Sequence, residues 1–304
     1  MQDGVQETVP EAAREQVRQA VQAFAGRADI SARSVLVTIF GDSIVPAGGE
    51  IWLADLIALC EPFGFSDRLV RTSMFRLGSE GWFETERVGR HSRYRLTRTA
   101  TAQFAAAEAR IYHRPAVPWD GRWTLAFLDG ADRTVRDGVA AALRWRGFAT
   151  LSPGVLALPR AGGAAVVEEV AAEAGVVVPV ALACFEDRDA LVASGWLTRS
   201  LGLDEPAERY RAFLERYRWV RSLRRSTVTD DEAFLLRTML VHDHRRARLT
   251  DPDLPAALLP DDWPAADAHR LAADAYHLVS PGAWRSLHAR TGLTVADAPP
   301  PRFT

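Results

Sequence analysis

Lysine is absent from this chain: all 37 basic residues are arginine. A single arginine is therefore weak evidence for a guanidinium-specific role, and only clustering carries information. Cysteine is nearly absent too. Cys60 and Cys184 stand far apart in apolar surroundings, which excludes a disulfide framework or a metal knuckle and predicts two buried thiols. No stretch approaches the roughly 20 uninterrupted apolar residues of a membrane span. The opening Met1-Gln2-Asp3-Gly4-Val5-Gln6-Glu7 lacks the basic-then-apolar pattern of a signal peptide, so a cytoplasmic location is expected. Phosphate-binding P-loops, a dinucleotide fingerprint after a strand and a G-x-S-x-G elbow are also missing. What remains is a 304-residue chain, 48% hydrophobic and 25% charged, long enough for two or three globular domains.

The most informative stretch runs from Phe65 to Leu96. Ser66 can cap a helix with Asp67 at its positive end, and Gly78 and Gly81 bracket its exit. At helical spacing Val70, Met74 and Leu77 share one side, and Arg68, Thr72, Phe75 and Ser79 the other, with Arg71 and Arg76 on the flanks. Trp82 to Val88 then reads as an outgoing strand, Gly89 to Ser92 as a turn, and Arg93 to Leu96 as the return. Arg87, Arg90, His91 and Arg93 would cluster near the hairpin tip. Between Ser66 and Arg98 eight arginines face Asp67, Glu80, Glu84 and Glu86, an excess of four positive charges in a chain of formal net charge -2. Such a patch can be a solvated surface or the footprint of a polyanion. A helix followed by a basic-tipped hairpin has the order of a winged helix-turn-helix, with guanidinium groups aimed where a major groove would lie.

Around that stretch the chain divides into segments. Residues 1–30 read as a polar helical lead with a thin stripe of Val17, Val21 and Phe24 and mobile ends. Residues 31–114 hold apolar helices from Ser31 to Phe40 and Glu50 to Cys60, separated by the loop Asp42 to Gly49, then the Arg-rich helix and hairpin, then a linker helix capped by Thr99 and reaching Arg110. Residues 115–202 alternate strand and helix: strands near 122–128, 147–151, 155–158 and 178–185, helices near 133–146 and 164–174. The order βαββαβ stands one edge strand short of a split-βαβ, ferredoxin-like layer. Residues 203–296 are helical, with segments 205–225, 230–248 and 265 to about 279, and 297–304 form a flexible tail in which Pro299, Pro300 and Pro301 should not pack. The fold class expected is thus α+β and multidomain.

A search for catalysis finds little. His242 and His244 lie two apart on a helix and face nearly opposite ways, which disfavours a shared metal. Asp129 ends the first middle-domain strand. In that position it resembles an aspartate of the dimeric ferredoxin-like proteins of CRISPR systems that is linked to metal-dependent nuclease activity, although a turn-forming aspartate at a strand end is the favoured reading. A metal-dependent nuclease is the alternative function.

The runs Phe40-Gly41-Asp42-Ser43, Gly48-Gly49-Glu50-Ile51-Trp52-Leu53, Gly64-Phe65, Val70 to Leu77, Glu80-Gly81-Trp82, Gly89-Arg90, Trp119-Asp120-Gly121, Asp251 to Pro255 and Leu258-Leu259-Pro260 resemble, in order, the PaaX family of repressors of phenylacetate-degradation operons. The resemblance covers about residues 31 to 285. It implies a winged-helix N-terminal domain, a ferredoxin-like middle domain, a helical C-terminal domain, no enzymatic activity and no cofactor. It also implies a homodimer on an imperfectly palindromic double-stranded operator and release by an aryl-CoA thioester such as phenylacetyl-CoA. DNA contact then falls on Arg68, Arg71, Thr72 and Arg76 in the helix and on Arg87, Arg90, His91 and Arg93 in the wing. Phe75, on the polar face, is expected to pack under the wing rather than meet a thymine methyl. An acyl-CoA needs cations for its phosphates and an apolar slot for its aryl group. Arg245, Arg246, Trp263 and Tyr276 are the candidates.

Overall fold

The computed structural model describes residues 11–113, 119–128, 132–159, 162–184, 186–187, 195–225, 228–295 and 302–303. These fall into two compact units, Met1–His113 with Ala212–Arg246 and Ala266–Thr304, and Arg114–Arg211 with Ala247–Ala265.

In the first unit, helix α1 (Glu11–Ala25) presents Val17, Val21 and Phe24 inward. The Phe24 and Phe63 rings meet edge to face at 5.9 Å, so the polar lead is docked by its narrow stripe. Helix α2 (Ala32–Ile39) starts where the Ser31 hydroxyl accepts from Ser34 N and buries Val35, Leu36 and Ile39. It continues as a π-helical turn over Phe40–Ile44. A short strand β1 (Glu50–Trp52) leads straight into helix α3 (Leu53–Cys60). Helix α4 (Asp67–Ser79) is capped by Ser66, whose hydroxyl accepts from Leu69 N, and buries Val70, Met74 and Leu77. Strands β2 (Phe83–Val88) and β3 (His91–Leu96) form the hairpin, and β1 adds to β3, giving a three-stranded antiparallel sheet of order β1-β3-β2. Helix α5 (Arg98–Tyr112) follows, capped by Thr97.

The second unit carries a four-stranded antiparallel sheet made of β4 (Arg122–Phe127), β5 (Ala149–Ser152), β6 (Val155–Leu158) and β7 (Val180–Cys184) in the order β5-β6-β4-β7. Helices α6 (Arg133–Trp145) and α7 (Gly163–Ala174) supply Val139, Leu143, Val167 and Val170 to a core with Ala126, Leu156 and Leu158. Side chains alternate across a strand, so Trp123 points away from that core and packs with Ala157, Leu197 and Leu258. Gly163 opens α7 against β4, because a Cβ there would lie 2.5 Å from the Thr124 hydroxyl. Helices α8 (Trp196–Leu201) and α9 (Asp204–Tyr217) follow, and Tyr210 donates to Asp251 at 2.9 Å. Two long helices complete the chain, α10 (Asp230–Arg248) and α11 (Ala265–Thr291).

Several expectations need correction. The four middle strands already give the strand order of a split-βαβ layer, with no further edge strand required. Residues 50–52 extend into strand because Glu50, Ile51 and Trp52 pair with Arg95, Tyr94 and Arg93. The linker helix is capped by Thr97, not Thr99: the Thr97 hydroxyl accepts from Ala100 N and donates to Gly81 O. α11 runs through Pro281 to Thr291, since Val279, Ala283 and Leu287 keep both halves buried against the loss of one N–H bond. Cys60 is buried, and burial pushes its thiol up to about 12, but Cys184 is exposed at the sheet edge. In the expected tail, Arg302 and Phe303 are both buried. No helix among the described residues is long and apolar enough to cross a membrane.

Candidate nucleic-acid interface

The α4 register follows from its three buried apolar side chains, and it leaves Arg68, Arg71, Thr72, Phe75, Arg76 and Ser79 exposed. Thr72 back-bonds to Arg68 O at 2.8 Å. Arg71 is partly held by an ion pair with Asp67 one turn earlier. Arg68 and Arg76 make no ion pair among the described residues, and Arg76 acts on Glu80 only through its field. Phe75 does not pack under the hairpin: it is 75% exposed.

The hairpin turn is tighter than expected. Val88 pairs with His91, leaving only Gly89 and Arg90 in the turn, and Gly89 supplies the positive φ of 62° that a two-residue turn requires. Arg87, Arg90 and His91 are exposed at this tip. Arg93 is different in kind. It pairs with Glu86 at 2.8 Å and Glu50 at 3.1 Å, and its guanidinium lies 5.3 Å from the Trp52 ring centre. Its positive charge is thus partly neutralised where it stands, and it stiffens the sheet as much as it presents charge. His91 meets the edge of Trp52 at 6.1 Å. Glu50 and Trp52 do not stand out as supports in the sequence, because three residues are too few for strand alternation to show.

The same unit holds a buried polar hub. Asp42, 1% exposed, accepts from Tyr112 at 2.7 Å and from Arg302 at 3.0 Å, and forms an ion pair with Arg237 at 2.9 Å. Arg237 also donates to Ser43 at 2.8 Å. Burial, with the Asp42 charge beside it, pushes the Tyr112 phenol well above its ordinary value. α10 grips α2 nearby. The Thr38 hydroxyl lies 3.1 Å from His242 Nδ1, and burial next to Arg245 drives the His242 imidazole down to about 2, so it is neutral.

The residues expected to hold an effector divide between the two units. Trp263 belongs to the second unit, whereas Arg245, Arg246 and Tyr276 lie in the first. Arg245 donates to Thr38 and to Ser34 O and Oγ, each at 2.8 Å, and burial lowers its guanidinium to about 10. Arg246 pairs with Asp29 at 2.6 Å, and the Tyr276 hydroxyl accepts from Arg302 at 3.3 Å. Arg245 and Tyr276 are committed to contacts inside the unit, and Arg246 is half-buried against Asp29 near the surface. A cavity of about 300 Å³ elsewhere in the first unit is lined by Ala20, Ala23, Phe24, Trp219 and Met239, with Arg27 and Arg216 among the other residues around it. Both arginines reach Asp243, at 2.7 and 2.8 Å, and Tyr217 donates to the same carboxylate at 3.0 Å. His242 meets Thr38 and Phe24, His244 meets Phe213 and Phe303, and no metal-ligand cluster occurs among the described residues. Asp129, the anchor of the nuclease alternative, lies outside the described residues.

Three family models match this chain: PaaX-like protein over residues 31–100, the PaaX protein central Cas2-like domain over 116–186, and the PaaX-like protein C-terminal domain over 201–289. The transcriptional repressor PaaX of Escherichia coli K12 is 35% identical over 280 residues, covering 90% of this chain and 88% of the relative. The chain belongs to the PaaX family. Among solved structures, an uncharacterized protein from Mycobacterium tuberculosis is similar in fold, with a TM-score of 0.53, 21% identity and coverage of 86% of this chain and 98% of that one.

Proposed function

We propose that this chain is a DNA-binding transcriptional repressor of a phenylacetate-type catabolic operon. The observation that carries the reading is the 35% identity, over most of both chains, to a relative that is itself a transcriptional repressor, a regulator rather than an enzyme. The order of α2, α3 and α4 followed by the β2–β3 hairpin supports it: these elements would serve as a winged helix-turn-helix, with α4 as recognition helix and the Gly89-Arg90 turn as wing tip. In this reading Arg68, Arg71, Thr72 and Arg76 meet base edges, and Arg87, Arg90, His91 and Arg93 anchor the phosphates. Bidentate arginine on guanine discriminates bases by about 1–3 kcal/mol, whereas phosphate contacts act on every sequence alike. A homodimer would set two α4 helices on the two halves of an imperfect palindrome.

Release by an aryl-CoA thioester belongs to the same proposal, and we assign the aryl end to the cavity beside Phe24 and Met239 rather than to Arg245, Arg246, Trp263 and Tyr276. Its apolar floor and Arg27 and Arg216 suit an aromatic ring with an anionic remainder. Arg27 joins Asp243 on α10 to Asp29, which Arg246 also holds. A ligand that draws Arg27 away would loosen the grip of α10 on α2 and favour a state that binds DNA less well.

The test is fluorescence anisotropy of DNA from upstream of the gene, in EDTA, with phenylacetyl-CoA or free phenylacetate. Tight binding released by the thioester alone is expected. Ala20→Trp, which fills the cavity, should keep DNA binding and lose the release. Absence of preferential binding to the upstream DNA would overturn the repressor reading, and release of Ala20→Trp at the wild-type thioester concentration would overturn the cavity assignment.

A further inference from the structure

Phe75 is the most exposed aromatic side chain of the first unit's large exposed hydrophobic residues, and it stands on the surface of α4 that carries the arginines. Helical neighbours at three, four and seven residues share a side. For Phe75 these include Thr72, Arg71, Arg68 and Ser79, all exposed. The core is fully served without it, since Val70, Met74 and Leu77 fill the opposite stripe and are 0% exposed. A large ring held in water amid guanidinium groups calls for an occupant. A protein partner that covered Phe75 would also have to desolvate Arg68 and Arg71. A nucleic acid meets both needs at once, because phosphates and guanine edges take the cations while the only apolar groups in the major groove are the thymine methyls.

We infer that Phe75 is a specificity-determining residue that reads thymine through its 5-methyl group. The inference rests on α4 being the recognition helix. It adds an apolar element to a face whose other side chains offer hydrogen bonds and charge: Arg68 and Arg71 select guanine, and Phe75 selects thymine within the same few base pairs. Stacking of the ring inside the helix is not required, because a methyl lies on the groove surface where a side chain on the outer face of α4 arrives first.

Replacing thymine by uracil deletes that methyl and preserves Watson–Crick pairing. The upstream fragment is therefore amplified once with thymidine triphosphate and once with deoxyuridine triphosphate, and wild type and Phe75→Ala are titrated against both, with a shuffled fragment of equal length as reference. Burying one methyl corresponds to about a four-fold change in affinity. The wild type is expected to bind thymine DNA about four-fold or more tightly than uracil DNA, the ratio falling toward one in Phe75→Ala and recovering in part in Phe75→Leu. Because the side chain is exposed, the thermal midpoint of Phe75→Ala should equal that of wild type, which separates this loss from misfolding. A thymine-to-uracil ratio that is the same in wild type and Phe75→Ala would overturn the inference while leaving the repressor reading in place. Equal wild-type binding to the upstream and shuffled fragments would overturn both.

Discussion

Arg237 and Arg302 are almost completely buried and both reach Asp42, whereas Arg68, Arg76, Arg87 and Arg90 stand in solvent without an ion pair among the described residues. In a chain without lysine one side-chain type performs both tasks, and its surroundings decide which. Inside, Arg302 meets carboxylates, a hydroxyl and carbonyl oxygens, and Arg237 meets Asp42, the Ser43 hydroxyl and the face of Trp284, contacts that offset the cost of taking a cation out of water. On the α4 and hairpin surface the same group is left to find its anion elsewhere. Arg71 and Arg93 stand between these cases, each already paired with a neighbouring carboxylate.

The sharpest way to break this contrast is to exchange the consequences of mutation. Arg237→Met leaves Arg302 as the remaining cation on the buried Asp42 and should cost about 1–3 kcal/mol of stability by chemical denaturation; a change within about 0.5 kcal/mol would mean the hub is not structural. Arg68→Ala should leave stability within about 0.5 kcal/mol and cost about 1–3 kcal/mol of operator affinity, read by anisotropy on upstream and shuffled DNA. Equal weakening on both fragments would move Arg68 from base reading to phosphate anchoring.

The interior also carries a pH signature. The folded His242 imidazole is held near 2, below its ordinary 6.5. Between those values the unfolded chain binds a proton that the folded chain does not. The stabilising contribution is therefore complete above about pH 6.5 and is lost as pH falls. The expected loss between pH 7 and pH 5 is about 2 kcal/mol, and His242→Gln should flatten that dependence in thermal melts. Identical pH profiles for the two proteins would remove His242 as its source.

Much of the frame is written locally. Ser31 and Ser66 announce their helices, the Val70, Met74 and Leu77 stripe fixes which side of α4 is outward, and Gly89 marks the hairpin turn. What the sequence hides is decided across long separations. Arg302 is helpless as a tail residue and becomes an anchor only because Asp42, 260 positions earlier, waits for it. Arg245 and Arg246 look like ligands for phosphate until Ser34, Thr38 and Asp29 take their donors. Strand β1 is three residues long and needs β3 to exist. Phe75 misleads in the opposite direction, since an aromatic residue near a hairpin is ordinarily packed and this one is not.

The most direct measurement is the salt dependence of binding to the upstream fragment, for wild type and for Arg87→Ala/Arg90→Ala. Each phosphate contact contributes about 0.9 to the slope of log K against log salt. The double variant is expected to fold as wild type does and to lose about 2 from that slope. An unchanged slope with a normally folded variant would contradict the assignment of this arginine surface to DNA.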